Sequence, residues 1–587
     1  MRQQPSCFIF RAVIFLAVLF SAIGWTLDQQ QTPGDAKNGQ SAAQPAAKPA
    51  GAQSQIPTFT SSTDLVLVPV IVHDHSGAHV NGLSKDDFTV EENGKLQKVS
   101  IFEEVTTAGD ARVKRASIAP GVFTNTLQSS SQMTPRLNIV VLDTINTGFG
   151  DQAYAKQQLV RFLEKSVERH EMTALLTLNR GGLKVVHDFT TDPTVLMAAL
   201  KKVRGTTEMM AGENTDALIT GADTAAVAAE ADDIEAFMEA RSARVAQEFQ
   251  IQGTIDGFNA IADAFRGLPG RKALIWVTGS FPFQMPSPND PPSARDFNDD
   301  LARAYQKLND ANVAVYPIDA RGLVVLGPDA STRISGATAR RPGGLAQLQM
   351  ARSANHTATL QTMQSLAEAT GGRAFYNTND LEKAFEHASD DSSSYYLLGY
   401  YRAPDDHKPG WRKLKVKINK GGLNLRTRTG YFVNTKANQP AGGPDEDVRI
   451  ALRAPMDFTG LPLAVRWEDP NKPEGKPFTG TVEPGKKQAI FDITVGRGGL
   501  FFDPADNNHM NFEIVAIARS ATGDNAGNFS QNIDAHPKPE TLAKLQQGGL
   551  TYRNQIQVPP GEYSVRFVVR DTLGNRVGSV LAPLKVE

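Results

Sequence analysis

The stretch Leu137-Asn-Ile-Val-Val-Leu-Asp143 most narrowly limits what this chain can fold into: an apolar strand that ends on one carboxylate. A strand apolar on both faces must be covered on both faces, which suits the central strand of a parallel sheet. In such sheets ligands bind just beyond the carboxyl ends of the strands. Asp143 and the oxygen-bearing residues after it, Thr144, Asn146 and Thr147, are therefore the first candidate site.

The flanking sequence extends the pattern. Asp151 can cap a helix whose apolar positions Leu159, Phe162, Leu163 and Val167 recur at helical spacing. Met172 to Leu178, a turn at Arg180-Gly-Gly182 and Leu183 to Phe189 follow, then a helix from Asp192 to Val203. Further on, a helix carries Ile255, Phe258, Ile261, Ala262 and Phe265 on one face and leads through Gly267-Leu-Pro-Gly270 into the strand Lys272 to Thr278. After a helical stretch near Asp296 to Asp310 comes the strand Val313 to Ile318, again ending on a carboxylate, Asp319. Alternating strands and helices predict a doubly wound α/β domain with a parallel sheet.

Through Val140-Val-Leu-Asp-Thr-Ile-Asn-Thr147, Gln152-Ala-Tyr154, Ala273-Leu-Ile-Trp-Val-Thr-Gly279, Tyr316-Pro-Ile-Asp-Ala-Arg-Gly322, Tyr396-Leu-Leu-Gly-Tyr400 and Thr429-Gly-Tyr-Phe432, the chain resembles the von Willebrand factor A-related proteins exported by bacteria. The resemblance runs from about residue 60 to about residue 435. It implies an A-type fold and an export route more directly than an activity. It also implies a metal-ion-dependent adhesion site, in which an Asp-x-Ser-x-Ser loop, a Thr and a second Asp hold a divalent cation such as Mg²⁺ by oxygen ligation. Here Asp143 and Thr147 match, Asn146 could add an amide oxygen and Thr206 could supply the Thr, but Ile145 replaces a serine and Gly279-Ser280 stands where the second Asp is expected. The expected metal set is thus Asp143, Asn146, Thr147 and Thr206, a degenerate site. The bland alternative, favoured by the missing carboxylate, makes Asp143 a loop residue bonded to nearby amides.

At 587 residues the chain exceeds one ordinary core. Residues 1–26 read as a signal peptide, with Arg2 and Arg11 ahead of the apolar run Ala12 to Phe20, which implies a periplasmic or extracellular protein. An uncleaved segment would be its membrane contact. Cys7, the sole cysteine, lies before that run, so no disulfide or thiolate site is expected beyond it. A Gln, Ala, Pro and Gly tract over 27–57 reads as linker, and 58–106 as a small β module with an Asn93-Gly94 hairpin turn. The A-type α/β domain is expected over 134–390, with insertions at 209–250 and 327–356. A β extension follows over 391–435, and short alternating strands over 445–587 suggest an immunoglobulin-like β-sandwich. Thr106 to Met133 reads as loop. The expected fold class is therefore multidomain α/β plus β.

With 61 basic against 63 acidic residues there is no electrostatic case for nucleic acid. No Gly-x-Ser-x-Gly elbow or His-Glu-x-x-His helix occurs, and Gly480 to Lys486 lacks the Ser or Thr of a phosphate loop. His73, His75 and His79 are candidates for a transition metal, against a default of surface histidines. The expectation is an exported, non-enzymatic adhesion-type protein that engages a protein or cell-envelope component near Asp143, Thr206 and Gly279. Its alternative is a metal-independent envelope scaffold whose C-terminal sandwich makes the contacts.

Overall fold

The computed structural model describes residues 65–106, 121–126, 136–165, 171–203, 230–281, 297–324, 344–402, 408, 410–433, 444–469 and 481–587. The segments expected as signal peptide and linker, Thr206 and parts of both expected insertions lie outside the described residues. No described helix is long and apolar enough to cross a membrane.

The apolar run folds as β6 (Leu137–Asp143), buried at every position. It pairs in parallel with β7 (Met172–Asn179) on one side and β9 (Lys272–Thr278) on the other, and β9 pairs in parallel with β10 (Val313–Asp319). Side-chain alternation splits these strands between two cores. Val140, Leu142, Ile275, Val277, Tyr316 and Ile318 meet α1 (Phe149–Lys165), α2 (Pro193–Lys202) and α6 (Leu381–Asp390). Ile139, Val141, Leu274, Trp276 and Val315 meet α3 (Glu230–Phe265), α4 (Asn298–Asp310) and α5 (Gly344–Thr370). The predicted face of α3 is the one buried: Ile255, Phe258, Ile261, Ala262 and Phe265 lie in that core.

The expected fold class, an A-type doubly wound parallel-sheet domain between a small β module and an immunoglobulin-like sandwich, is overturned. The described chain is built mainly of five sheets, four of them antiparallel, and its one helix-covered sheet, in the order β10-β9-β6-β7-β8, is mixed. The reason lies at Arg180-Gly-Gly182. A two-residue connection cannot carry a crossover to a parallel neighbour, so β8 (Gly182–Thr190) folds back antiparallel on β7. Gly182 takes the left-handed φ of +87° that this turn requires.

The N-terminal strands do not make a module of their own. β1 (Leu65–His73) sits between β13 (Asn424–Thr427) and β11 (Ser394–Tyr401), with β4 (Ile101–Thr106) beyond β11. β2 (Phe88–Glu92) sits between β3 (Lys95–Gln97) and β12 (Gly410–Ile418), with β14 (Gly430–Val433) at the far edge. These two sheets share one core, including Val68, Val70, Val90, Tyr396, Leu398 and Leu414. The helix-covered layer is therefore spliced between β4 and β11 of a single sandwich. Inside that sandwich the buried Glu92 Oε2 accepts from Tyr400 at 2.6 Å and Tyr431 at 2.9 Å, tying two strands that follow the helical layer to one that precedes it.

A second long-range closure occurs at the C-terminal end. β5 (Val122–Thr124), from the segment expected as loop, adds an edge to β15 (Leu463–Trp467), which continues through β16 (Lys487–Val495) to β19 (Leu550–Val558). The opposing sheet runs β18 (Asn525–Ala535), β17 (Met510–Arg519), β20 (Gly561–Asp571), β21 (Arg576–Val586), with Phe491, Phe512, Ile514, Phe567 and Val569 buried at or between the two sheets. Asn125 holds the added edge: its Nδ2 donates to the carbonyls of Phe458 and Leu461 at 2.6 and 2.7 Å, and its Oδ1 accepts from Leu463 N at 2.8 Å. The 27-residue helix α5 begins inside the second expected insertion, at Gly344. Between the two sandwiches α7 (Pro444–Arg453) packs Val448, Ala451 and Leu452 into the α3–α4–α5 core.

Two outcomes follow from these contacts. Asn125→Ala takes the side-chain partner from Leu461 O and Leu463 N, while Phe458 O keeps Ser579 N at 2.8 Å, so unfolding in urea should show a loss of about 2–4 kcal/mol, and a loss below about 0.5 kcal/mol would show that the β5 edge is not held by this side chain. At the start of β9, Lys272 is 1% exposed, and among the described residues its ammonium donates to the carbonyls of Leu268 and Gly270 at 2.6 and 3.0 Å. Burial lowers its pKa from 10.5 to about 7. A depressed pKa means that the unfolded chain binds this proton first as pH falls, so stability from Lys272 is present above 10.5 and is lost progressively down to about pH 7. Wild-type stability should therefore rise between pH 7 and 9, by at most about 1.4 kcal/mol per pH unit, and Lys272→Met should flatten that rise. Equal slopes in both proteins would refute the assignment.

Candidate functional site

Where β6 ends, Asp143 is 2% exposed and its carboxylate points back into the sheet. Oδ1 accepts from Asn146 N at 3.1 Å. Oδ2 accepts from Asn146 Nδ2 at 2.8 Å and from the Trp276 indole Nε1 at 3.0 Å. Thr278 Oγ1 lies 3.0 Å from Oδ2 and 2.7 Å from Ser280 O, so its one proton serves either acceptor in turn. Trp276 and Thr278 stand two apart on β9 and so share a face, which is why one strand supplies both donors. Burial pushes the Asp143 carboxyl above its ordinary range, and the Asn146, Trp276 and Thr278 donors pull it back.

The loop after Asp143 is held with equal economy. Asn146 Nδ2 also donates to Thr254 Oγ1 at 3.0 Å, and Gln250 Nε2 donates to Ile145 O at 3.1 Å, so α3 clamps the loop from one side. Ile145 is a core residue, 4% exposed, whose Cδ1 would stand 3.1 Å from a Cβ on Gly253. A serine there would put a hydroxyl into an apolar core. From the other side Gly279 N donates to Thr147 Oγ1 at 2.8 Å. A Cβ at Gly279 would lie 3.0 Å from Asn146 O and 3.2 Å from Thr147 Cα, so the glycine suits the close approach and any larger residue here would push the loop back by a few tenths of an ångström.

Of the expected metal set, the fold thus brings Asp143, Asn146 and Thr147 together, while Thr206 lies outside the described residues. Both Asp143 oxygens are engaged by the protein's own donors and would have to shed them to meet a cation. Asn146 Oδ1 is buried and makes no hydrogen bond. The amide cannot be turned to use it, because Oδ1 would then face the Asp143 carboxylate. His73 and His79 face each other across a short bridge with ring centroids 6.1 Å apart, and His79 stacks on Tyr396, so ring packing occupies them. The sequence reading missed Trp276, Thr278, Gln250 and Thr254. A tryptophan inside an otherwise aliphatic strand was the available signal, since a buried indole N–H needs an acceptor.

Beside this closed cluster is an open one. A pocket of about 140 Å³ lies at the carboxyl ends of β6 and β9, lined by Leu142, Thr147, Phe149, Gln152, Ala153, Lys156, Val203, Val277 and Ala320 among others. Its lining is largely apolar, and Phe149 is 56% exposed. Lys156 is tied down, its Nζ donating to Val203 O at 2.7 Å and Lys201 O at 3.4 Å at the end of α2, where orphan carbonyls favour a cation. Gln152 Nε2 reaches Thr147 O at 2.8 Å and so binds α1 to the loop. Asp143→Ala strands the buried Trp276 and Asn146 donors and should destabilise the fold by about 3 kcal/mol in urea unfolding, with or without millimolar Mg²⁺. If Mg²⁺ stabilises wild type and not the variant, the carboxylate serves a cation rather than its neighbours.

No family model matches the chain, and no curated protein matches it. Among solved structures, proximal thread matrix protein 1 of the mussel byssus aligns over 44% of this chain and 48% of its own length at 11% identity, with a TM-score of 0.22. The chain spans about half the length of that protein, and a likeness so slight carries no argument for fold or function.

Proposed function

We propose that this chain is an exported binding protein, not an enzyme, that takes an apolar group of a protein or cell-envelope partner into the pocket at the carboxyl ends of β6 and β9. One observation carries this reading: a mostly apolar pocket sits where the strand order reverses about β6, with an aromatic ring, Phe149, exposed at its rim. Exposed aromatics beside a preformed concavity are the usual anchors of recognition. The polar groups around it are committed to structure: Asp143 to its donors, Lys156 to carbonyls and Gln152 to the loop, which leaves the pocket without a nucleophile and base in contact. Partner binding through this pocket needs no divalent cation. Export rests on the basic and apolar pattern of residues 1–26.

The competing scaffold reading places the contacts on the C-terminal sandwich. Truncation at residue 445 does not separate the two readings, because Val448, Ala451, Leu452, Met456 and Phe458 belong to the core under the helix-covered sheet. Point changes do. A photo-reactive phenylalanine analogue at Phe149, introduced into the chain in its own cells, should give a discrete crosslinked adduct. The same analogue at Thr522, on the β17–β18 turn, should not. Ala153→Trp, which fills the pocket mouth from an exposed position, should lower the Phe149 adduct several-fold. Adducts at Thr522 alone would favour the scaffold, and an adduct at Phe149 insensitive to Ala153→Trp would remove the pocket from the interaction.

A further inference from the structure

Far along the chain from that pocket, Asp506, His509 and His536 each present a ligand atom within 4.8 Å of the others. The arrangement follows from the strand register. At the open end of the β17–β18 hairpin, Met510 pairs with Ala535 and Asn511 with Asp534. Alternation therefore puts His509 and Asn511 on one face, opposite His536 and Asp534 on the same face. Met510 and Phe512 point into the core, so this face is the outer one. Asp506 is returned beneath His509 by a tight turn: Asp503 caps it through Ala505 N at 2.9 Å, Asn507 and Asn508 take left-handed φ values of 47° and 58°, and His509 N donates to Asp506 O at 2.8 Å. Pro537 restricts His536 to extended backbone.

The hydrogen bonds then select a tautomer. His509 Nε2 lies 2.7 Å from Asp534 Oδ1, and Asp534 Oδ2 accepts from Asn511 Nδ2 at 3.0 Å. An ionised carboxylate only accepts, so the shorter contact holds an N–H on Nε2 toward Asp534, and Nδ1, on the Asp506 side, is the nitrogen left for a ligand. Nδ1 stands 3.3 Å from Asp506 Oδ2, and His536 Nε2 stands 3.5 Å from Asp506 Oδ1. These separations sit at the long end of hydrogen bonding, yet they match the roughly 3.3 Å between ligands about 2.0–2.1 Å from a tetrahedral ion. The two imidazoles stack with centroids 4.6 Å apart and planes 9° from parallel, which holds both rings beside Asp506.

We propose that Asp506, His509 and His536 bind a divalent transition ion, with zinc the best match, and that Asp534 is a positioning residue that fixes the His509 ring. Two imidazole nitrogens and one carboxylate favour zinc over Mg²⁺ or Ca²⁺, which take oxygen ligands. A carboxylate that holds the far nitrogen of a ligating histidine is the customary outer support of such sites. Three protein ligands leave a fourth position for water or for a side chain of another molecule. This site is independent of the pocket beside β6.

The test is calorimetric titration of Zn²⁺ into the chelator-stripped full chain at about pH 7.5, where free imidazole is neutral. One Zn²⁺ per chain should bind at this site, that equivalent should vanish in both His509→Ala and His536→Ala, and Mg²⁺ should not compete. Asp534→Asn should keep the stoichiometry and weaken binding about 10–100-fold, which a carboxylate engaged only in surface pairing would not do. Ala153→Trp should bind as wild type. Far-UV circular dichroism of each variant checks the fold, which changes at these strand ends should leave intact. Zinc uptake that is absent in wild type, or unchanged in both histidine variants, overturns the site. Unchanged affinity in Asp534→Asn overturns the positioning role.

Discussion

Everything in the helix-covered half of this protein answers to one constraint: β6 has no face that can meet water. Its seven residues are buried, so both sides of the sheet need apolar cover, and the chain supplies it with α1, α2 and α6 on one side and α3, α4 and α5 on the other. Covering two faces from one chain requires segments to leave the sheet and return, and loops then gather at the strand ends. The strand must also end without exposing its core. It does so on Asp143, where removing a carboxylate from water costs several kcal/mol and hydrogen bonds to a charged group return about 1.5–3 kcal/mol each. Asn146, Trp276 and the shared Thr278 hydroxyl together roughly offset that cost.

That balance explains which features were legible in the sequence. β6, β9, β10 and the buried face of α3 were visible because periodicity is local and each run is long. The direction of β8 was also encoded locally, in Arg180-Gly-Gly182, but a βα reading of the alternation overrode it. The closures that define the antiparallel sheets were not visible. Leu65 pairs with Tyr401, and Val122 with Arg466, across separations that no periodicity spans. For the same reason the 58–106 module and the 391–435 extension looked like separate pieces, although Val68, Val70, Tyr396 and Leu414 share one core. At the site, Asp143 stood out as a charge at a strand end, whereas its partners Trp276 and Thr278 lie about 130 residues away and differ from core residues only in carrying a donor.

Donors and acceptors balance in opposite ways at Asp143 and at Asp506. Asp143 has oxygen ligands suited to a hard cation, yet the protein's own N–H and O–H groups already fill them. Gly279 and Ile145 are shaped for backbone approach and core packing rather than for ligation. At the end of β17 the balance runs the other way. Asp534 engages one nitrogen of His509 and leaves the other toward Asp506, whose carboxylate faces the two imidazoles at 3.3 and 3.5 Å. The sequence signal was weak there because His509 and His536 are 27 positions apart and become neighbours only through strand register.

The seam between the halves decides how such sites can be probed. Downstream of α7, Arg566 from β20 donates to the carbonyls of Ala454 and Met456 and pairs with Asp457, while Thr459 Oγ1 donates to Ala264 O and accepts from Gly267 N. Gly267 is required there, since a Cβ would fall 1.7 Å from Thr459 O. The C-terminal sandwich is thus joined to α3, the helix that clamps the Asp143 loop through Gln250 and Thr254. An apolar seam with buried, satisfied polar ties resists hinge motion more than a flexible linker would. The helix-covered sheet and the C-terminal sandwich are therefore joined by packed, hydrogen-bonded contacts rather than by a free linker, and the loop beside β6 is braced through α3 from that seam.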